Sequence, residues 1–448
     1  MSHILVLDIG KTNKKALILN EDYDVLYEHS HAITEIADED GFPCENINEL
    51  SRWCIEIVDS LLKNEDYDIR TLQFSGYGAS FVLIGNDGTP IAPLYNYLKP
   101  LDAGIQKKFL QAYGPQSKLS LKTASPWMGC LNSGLQLYRI KYSKPDLWDR
   151  VKYALHLPLY LSYLFSRKAC SDKTSIGCHT LLWDFTKNQY HDWIIQEGLE
   201  PVLPPLVNSD LVTKAKYGNK ELNIGIGLHD SSAALIPYLK LKRNKFILLS
   251  TGTWSIALNP FDSRPLTEYD LGHDGLCYMS FEGKPVKASR LFLGHEFETQ
   301  IERIVRFFDV SRKELVGMNI DLSAKPDLDD DVSYINGQGL ICSGFEQRAL
   351  SQFLNGADAM IVLVQDLIRI QVRSIQQVIP DSSRYDLYVE GGFSQNSLFL
   401  QLLSRKLPQY SIYASQVHQA SAIGAAMAIH DVWNPLPPAS KIIKTIQF

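Results

Sequence analysis

The sequence predicts an α/β protein of two lobes, each built on a sheet, and three observations lead there. The chain has 448 residues, a length at which two domains of about 200 residues each are the natural expectation. A strand–turn–strand pattern occurs twice: residues 4–7 and 16–19 flank a polar turn centred on Gly10, and residues 246–258 repeat the arrangement around Gly252. Strand-like and helix-like segments also alternate through both halves, which is the signature of α/β layers.

The first lobe is expected over residues 1–238. After the opening hairpin, Asn46-Ile-Asn-Glu49 resembles a capping box, and Leu50, Trp53, Cys54, Ile57, Val58 and Leu61 follow at helical spacing. Residues 71–74 read as a strand ending in Ser75-Gly-Tyr-Gly78. Residues 81–84 read as another, turning at Asn86-Asp-Gly88 in a hairpin signal. From about 101 to 204 the pattern becomes helical and aromatic, with Trp127, Trp148, Trp183 and Trp193, and reads as an insertion. These tryptophans are expected in a core rather than on a ligand. The polar stretch 240–245 is the linker candidate, and the second lobe is expected over 244–448. There the acidic run 327–331 reads as a solvated loop. A helix over 357–379 stops at Pro380, and a buried strand over 386–389 leads into a loop over 390–396. Helices over 397–407 and 420–430 then enclose a strand at 410–413.

Composition narrows the function classes. Hydrophobic residues at 45% and charged residues at 21% are ordinary for a globular chain, and a net charge of −6 offers no basic footprint for nucleic acid or an anionic membrane. The seven cysteines are odd in number and scattered without metal-ligand spacing, which fits a reducing compartment. The first residues run straight into a strand, and no apolar run approaches the ~20 residues that cross a bilayer. A cytoplasmic location, with neither nucleic acid nor membrane as partner, is the expectation.

The turns carry the chemistry. A glycine-centred turn leaves amides and hydroxyls free to hold an anion, and two such turns, Gly10 with Thr12 and Ser250-Thr-Gly-Thr253, could grip a polyphosphate. Asp8 ends its strand beside the first turn, where a carboxylate suits Mg²⁺, and Lys15 could neutralise phosphate. Asp230 precedes Ser-Ser-Ala-Ala; it reads either as a helix cap or as a base that accepts a hydroxyl proton during phosphoryl transfer. Gly391-Gly392, after a strand, lets backbone approach a base or ribose. The small residues between Ala420 and Ala426 point to tight helix packing. His273, His295 and His418 lack ligand spacing and read as structural or solvated.

In order and context these motifs resemble the FGGY carbohydrate kinases of the actin/hexokinase superfamily. Asp8-Ile-Gly-Lys-Thr-Asn-Lys-Lys15 is similar to their first phosphate motif, Ser250-Thr-Gly-Thr-Trp254 to their second, His229-Asp230 to the site of their catalytic base, and Gly391-Gly-Phe-Ser-Gln-Asn396 to their adenosine motif, with Ala422-Ile-Gly-Ala-Ala426 as the helix behind it. The resemblance spans nearly the whole chain. It implies two ribonuclease-H-like lobes about a hinged cleft, and transfer of the γ-phosphoryl group of MgATP to a sugar hydroxyl with Asp230 as general base. ATP and Mg²⁺ are the implied cofactors. Nucleotide contacts would come from Gly10, Lys11, Thr12, Asn13, Lys15, Ser250, Thr251, Gly252, Thr253, Gly391, Gly392 and Asn396, with Asp8 and Asp230 on the metal. Sugar contacts would come from Ser75, Gly76, Tyr77, Gly78, Tyr97, His229 and Asp230.

Within the family the chain is most similar to the rhamnulokinase- and fuculokinase-like branch, through Ser75–Ile84 and His229–Ala233 as well as the second phosphate motif. A ketose of L-rhamnulose or L-fuculose type is therefore favoured, with a pentulose or polyol as the alternative. Two departures stand out: Lys11 replaces a small residue, and Tyr95-Asn-Tyr97 replaces the usual Asp- and Arg-containing sugar motif. A nucleotide-dependent scaffold or sensor on the same fold is the competing class. The sequence leaves the oligomeric state open, a homodimer included.

Overall fold

Residues 4–7 are apolar at every position, a pattern that suits a strand covered on both faces, and in the computed structural model they are 0–1% exposed in the middle of β1 (His3–Ile9). The structure describes residues 2–317, 330–336, 340–380, 384–417, 419–438 and 442–448. β1 pairs antiparallel with β2 (Lys14–Leu19), which pairs with β3 (Val25–His31). Its other edge takes β4 (Ile69–Gly76) in parallel. Beyond β4 lie β7 (Val212–Tyr217) and β8 (Lys220–Gly225), giving the order β7-β8-β4-β1-β2-β3, with the short β9 (Leu228–His229) also on β4. β5 (Phe81–Ile84) and β6 (Tyr153–His156) form a separate ribbon. Helix α1 (Ile47–Lys63) starts where the capping residues place it: Asn46 Oδ1 accepts from the Glu49 amide at 3.2 Å.

The second sheet repeats the plan. β10 (Phe246–Thr251) and β11 (Ser255–Asn259) form the hairpin, and β14 (Asp386–Gly391) lies parallel to β10. With β12 (Gly275–Met279), β13 (Pro285–Leu291), β15 (Ser411–Ser415) and β16 (Thr445–Gln447) the order is β12-β13-β11-β10-β14-β15-β16. The equivalence reaches the register. Ile9 pairs with Lys14 on one side and Gly76 on the other; Thr251 pairs with Ser255 and Gly391. Each turn therefore projects beside a glycine-ended parallel strand.

The chain divides into two units: Met1–Lys242 with Cys277–Pro285 and Gln419–Ile442, and Arg243–Leu276 with Val286–His418 and Ile443–Phe448. The expected division into 1–238 and 244–448 is corrected on this point, because residues 277–285 and 419–442 belong to the first unit. The reason lies in small side chains. Helix α2 (Asp230–Leu241) and the later α3 (Ala420–Ala428) touch backbone to backbone: a Cβ on Gly424 would lie 1.8 Å from the Ala233 carbonyl oxygen. The earlier segment is tied in by Cys277, whose amide donates to Ala124, and by Met279, whose carbonyl accepts from Ser232. Residues 422–426, expected to back the adenosine motif, belong to the first unit, where their helix packs against α2.

The aromatic insertion has its own core, where Phe109 meets Tyr138 and Trp193 edge-on at 4.9 and 5.1 Å. Trp183 joins them buried, and Trp127 and Trp148 pack against the cluster. The acidic run is only partly among the described residues. Asp330 pairs with Arg348 and Asp331 with Arg373, so these two carboxylates are held by arginines rather than merely solvated. His418 lies outside the described residues. No helix among the described residues is long and apolar enough to cross a membrane.

Candidate active site

Strand register in the first unit gathers the acidic residues. Asp8 lies beside Ser75, Ile9 and His229 both lie beside Gly76, and Asp230 follows as the first residue of α2. Asp8 Oδ2 accepts from Ser421 Oγ at 2.7 Å. Burial pushes the Asp8 carboxyl above its ordinary range, Ser421 works against this, and the charge of Asp230 adds to it. The Asp230 side chain is one-third exposed. Its Oδ1 accepts from the Ser231 amide at 2.6 Å, while Oδ2 takes no hydrogen bond among the described residues. Burial raises its pKa to about 6, opposed by the two Ser231 donors. Two carboxylates that both resist ionisation therefore share one region, at the ends of two strands that each pair with β4.

His229 supports Asp230 from below. It is 4% exposed, and burial holds it near pKa 4, hence neutral. Its Nε2 is 3.1 Å from Cys178 Sγ and 3.3 Å from Asp230 Oδ1, its Nδ1 is 3.3 Å from Ser232 Oγ, and its ring stacks on Tyr278. Its amide donates to Thr174 Oγ1, which donates in turn to Asp172. A Cβ on Gly78 would lie 2.9 Å from the imidazole and 3.0 Å from Cys178 Sγ, so glycine leaves room for both side chains. Of the residues expected on the sugar, Ser75, Gly76, Tyr77 and His229 are buried, whereas Gly78 and Tyr97 are half-buried. Tyr77 gives its hydroxyl to Glu45 at 2.6 Å and is not free for a substrate. Tyr97 faces the acidic region: burial, then the charge of Asp230, holds its phenol above the ordinary value.

The first turn exposes Thr12 and Asn13. Gly10 closes it by donating to the Asn13 carbonyl at 2.9 Å, and the amides of Lys11, Thr12 and Asn13 donate to nothing among the described residues. Lys11 points to Glu35 at 2.7 Å, and Lys15 is shared between Gln419 and Glu28. The sequence reading missed Lys14, which is 2% exposed and paired with Glu45. Strand alternation carries a signal for it, since Lys14 shares a face with the buried Ala16 and Ile18.

In the second unit Gly252, Thr253, Gly392 and Asn396 line one cavity of about 470 Å³. Gly294, His295, Glu298 and Arg312 also line it, none of them expected on a ligand from the sequence, together with Phe297, Val316, Phe393 and Gln395. Gly294 opens the cavity toward the turn, since a Cβ there would lie 1.8 Å from the Gly252 carbonyl oxygen. A glycine just after a strand, at a helix start, is the one signal that marked it. Thr251 is a correction: it is buried, and its hydroxyl donates to the Glu390 carbonyl and accepts from the Phe393 amide at 3.0 Å. That hydroxyl shapes the Gly391-Gly392 turn instead of facing a phosphate. Ser250 is half-buried, and Gly252 and Thr253 are exposed. Asn396 caps the following helix through the Phe399 amide at 3.0 Å. A cavity of similar size, about 500 Å³, beside Tyr269, His273 and Arg373 contains none of these residues.

With this geometry in view, comparison with known proteins is direct. The model of the FGGY family of carbohydrate kinases, N-terminal domain, matches residues 3–236. The rhamnulokinase of Halalkalibacterium halodurans is 23% identical over 267 residues, covering 57% of this chain and 56% of that protein. The chain thus spans about half the length of the rhamnulokinases it matches first. A carbohydrate kinase from Novosphingobium aromaticivorans shares the fold with a TM-score of 0.80 at 21% identity, covering 100% of this chain and 94% of that one. A ligand-bound xylulose kinase from Lactobacillus acidophilus does so at 0.82 and 13%, covering 100% and 93%.

Proposed function

The chain belongs to the FGGY family of carbohydrate kinases, and from that premise we propose that it transfers the γ-phosphoryl group of ATP to a hydroxyl of a ketose, of L-rhamnulose or L-fuculose type. The observation that carries this reading is the Asp230 carboxylate, which heads a helix with one oxygen unpaired and a pKa raised to about 6. A base serves best when its pKa lies near working pH. Asp230 accepts the hydroxyl proton as the sugar oxygen bonds to the γ-phosphorus and the bond to the β-γ bridging oxygen breaks, releasing ADP. Neutral His229 holds the carboxylate in place without competing for the proton. Turn amides at residues 11–13 and the Gly252-Thr253 turn suit phosphate oxygens, and the cavity beside Gly392 suits adenosine.

Asp8 and Asp230 would hold Mg²⁺. Two carboxylates and neighbouring hydroxyls fit a hard cation that keeps much of its water, and the rise that burial and the charge of Asp230 impose on the Asp8 carboxyl is what a cation would relieve. The metal supplies charge neutralisation on the phosphates.

Support for a deoxyketose comes from Tyr95-Asn-Tyr97. Tyr95 is buried with its hydroxyl on Glu39, which leaves Tyr97 as the side chain of this segment facing Asp230. An aromatic face there, in place of Arg or Asp, suits the methyl end of a 6-deoxy sugar. A coupled ADP-release screen over L-rhamnulose, L-fuculose, D-xylulose, D-ribulose, L-ribulose, glycerol and erythritol tests this. The highest kcat/KM is expected on one of the first two. Turnover confined to the others moves the substrate, and ATP binding without turnover on any of them removes the kinase reading.

The pH dependence has a definite sign. Asp230 must be unprotonated to act, so kcat/KM rises with pH, reaches half its plateau near the pKa of about 6, and is flat above it. A profile that falls through this range would exclude Asp230 as the base.

A further inference from the structure

Lys14 occupies an unusual position for a lysine. Its ammonium is buried beneath the first turn, where it donates to the Gly10 carbonyl at 3.1 Å and the Lys11 carbonyl at 3.0 Å. It meets Glu45 Oε1 at 2.7 Å in a charge contact rather than a well-angled hydrogen bond, and the two side chains are 2% and 3% exposed. Glu45 is fixed in turn by the Tyr77 hydroxyl on its other oxygen and by a backbone bridge to Leu94. Burying such a pair is costly unless the geometry is well satisfied, so its presence calls for a role.

Peptide geometry supplies one. A trans peptide is planar, and its C=O and N–H point in opposite directions. The Gly10 carbonyl shares a plane with the Lys11 amide, and the Lys11 carbonyl shares a plane with the Thr12 amide. Drawing both oxygens inward onto one ammonium therefore turns both N–H groups outward, and those amides have no partner among the described residues. We infer that Lys14, neutralised by Glu45, is a positioning residue that presents the Lys11 and Thr12 amides to a phosphate group of the bound nucleotide. The second turn solves its geometry differently. The equivalent register position is Ser255, which donates to Gln371 at 2.6 Å. The identity of the anion rests on the kinase reading; the orientation of the amides does not.

The test is a charge-balanced variant of the full chain, Lys14→Met with Glu45→Gln, whose amide oxygen still accepts from Tyr77. Calorimetric titration with MgAMP-PNP and with adenosine reads the effect. Affinity for MgAMP-PNP is expected to fall at least about tenfold while adenosine stays within about twofold. Unchanged MgAMP-PNP affinity in a folded variant overturns the inference. Should the variant not fold, hydrogen exchange on the unaltered protein decides: the amides of residues 11 and 12 exchange fast alone and slow on adding MgAMP-PNP, and no slowing overturns it. A protein that binds MgAMP-PNP by these amides yet phosphorylates no sugar sinks the kinase reading and leaves this inference standing.

Discussion

Replacing Asp230 by Asn is expected to lower kcat by about 10²–10⁴-fold, the range for losing a positioned general base, while affinity for metal-free adenine nucleotide stays near that of the wild type. Asn keeps an oxygen for the Ser231 amide, so the start of α2 survives and the loss is chemical. What disappears is the acceptor for the sugar's proton, together with the negative charge that His229 backs and that raises Asp8. A coupled kinase assay beside a nucleotide titration separates the two effects. Turnover close to wild type would remove Asp230 from the mechanism.

Gly391→Ala is expected to be the most destabilising single substitution among the ligand-facing turns. Gly391 sits at φ +78°, and a Cβ there would lie 1.7 Å from the Thr251 carbonyl oxygen. The backbone conformation costs ~1–3 kcal/mol for a non-glycine residue, and the overlap with main chain cannot be relieved by a rotamer change. A total near 3 kcal/mol or more places it among the large effects, which corresponds to a melting temperature lower by roughly 6 °C or more. Thr251 would be forced from Glu390 and Phe393, and the cavity floor would move with it. Gly392→Ala is the control. Nothing lies within 4 Å of its added Cβ and its φ is ordinary, so it should melt within about 0.5 kcal/mol of wild type. Equal melting of Gly391→Ala and wild type would refute the argument from backbone contact.

The contrast between these glycines marks what sequence could convey. Asp8, Gly10 and Gly252 are placed by sequence because a residue at the end of an apolar strand, before a turn, has one place to go, and Asp230 because the small residues after it mark a helix start. Gly391 and Gly392 looked alike as letters; only the approach of β10 tells them apart. The neighbours of Thr251 suggest a phosphate ligand, yet parallel pairing with β14 puts its hydroxyl on Glu390. Two adjacent lysines look alike as letters, and only strand alternation separates Lys14, on the inner face against Glu45, from Lys15. The small residues of α3 announce close packing without naming the partner, and the partner, α2, lies far back along the chain at Asp230–Leu241. Pairing across such distances is set by shape, which no local pattern encodes.

That pairing bears on biosynthesis. Ser421 and Ala425 reach Asp8 and the buried Gln73 from α3, so a nascent chain halted on the ribosome near residue 400 lacks both. Its first unit would carry an open seam of small apolar side chains along α2, a surface that chaperones hold and that aggregation exploits. The acidic end of β1 is then completed only once residues 420–428 have emerged and Ser421 can reach Asp8.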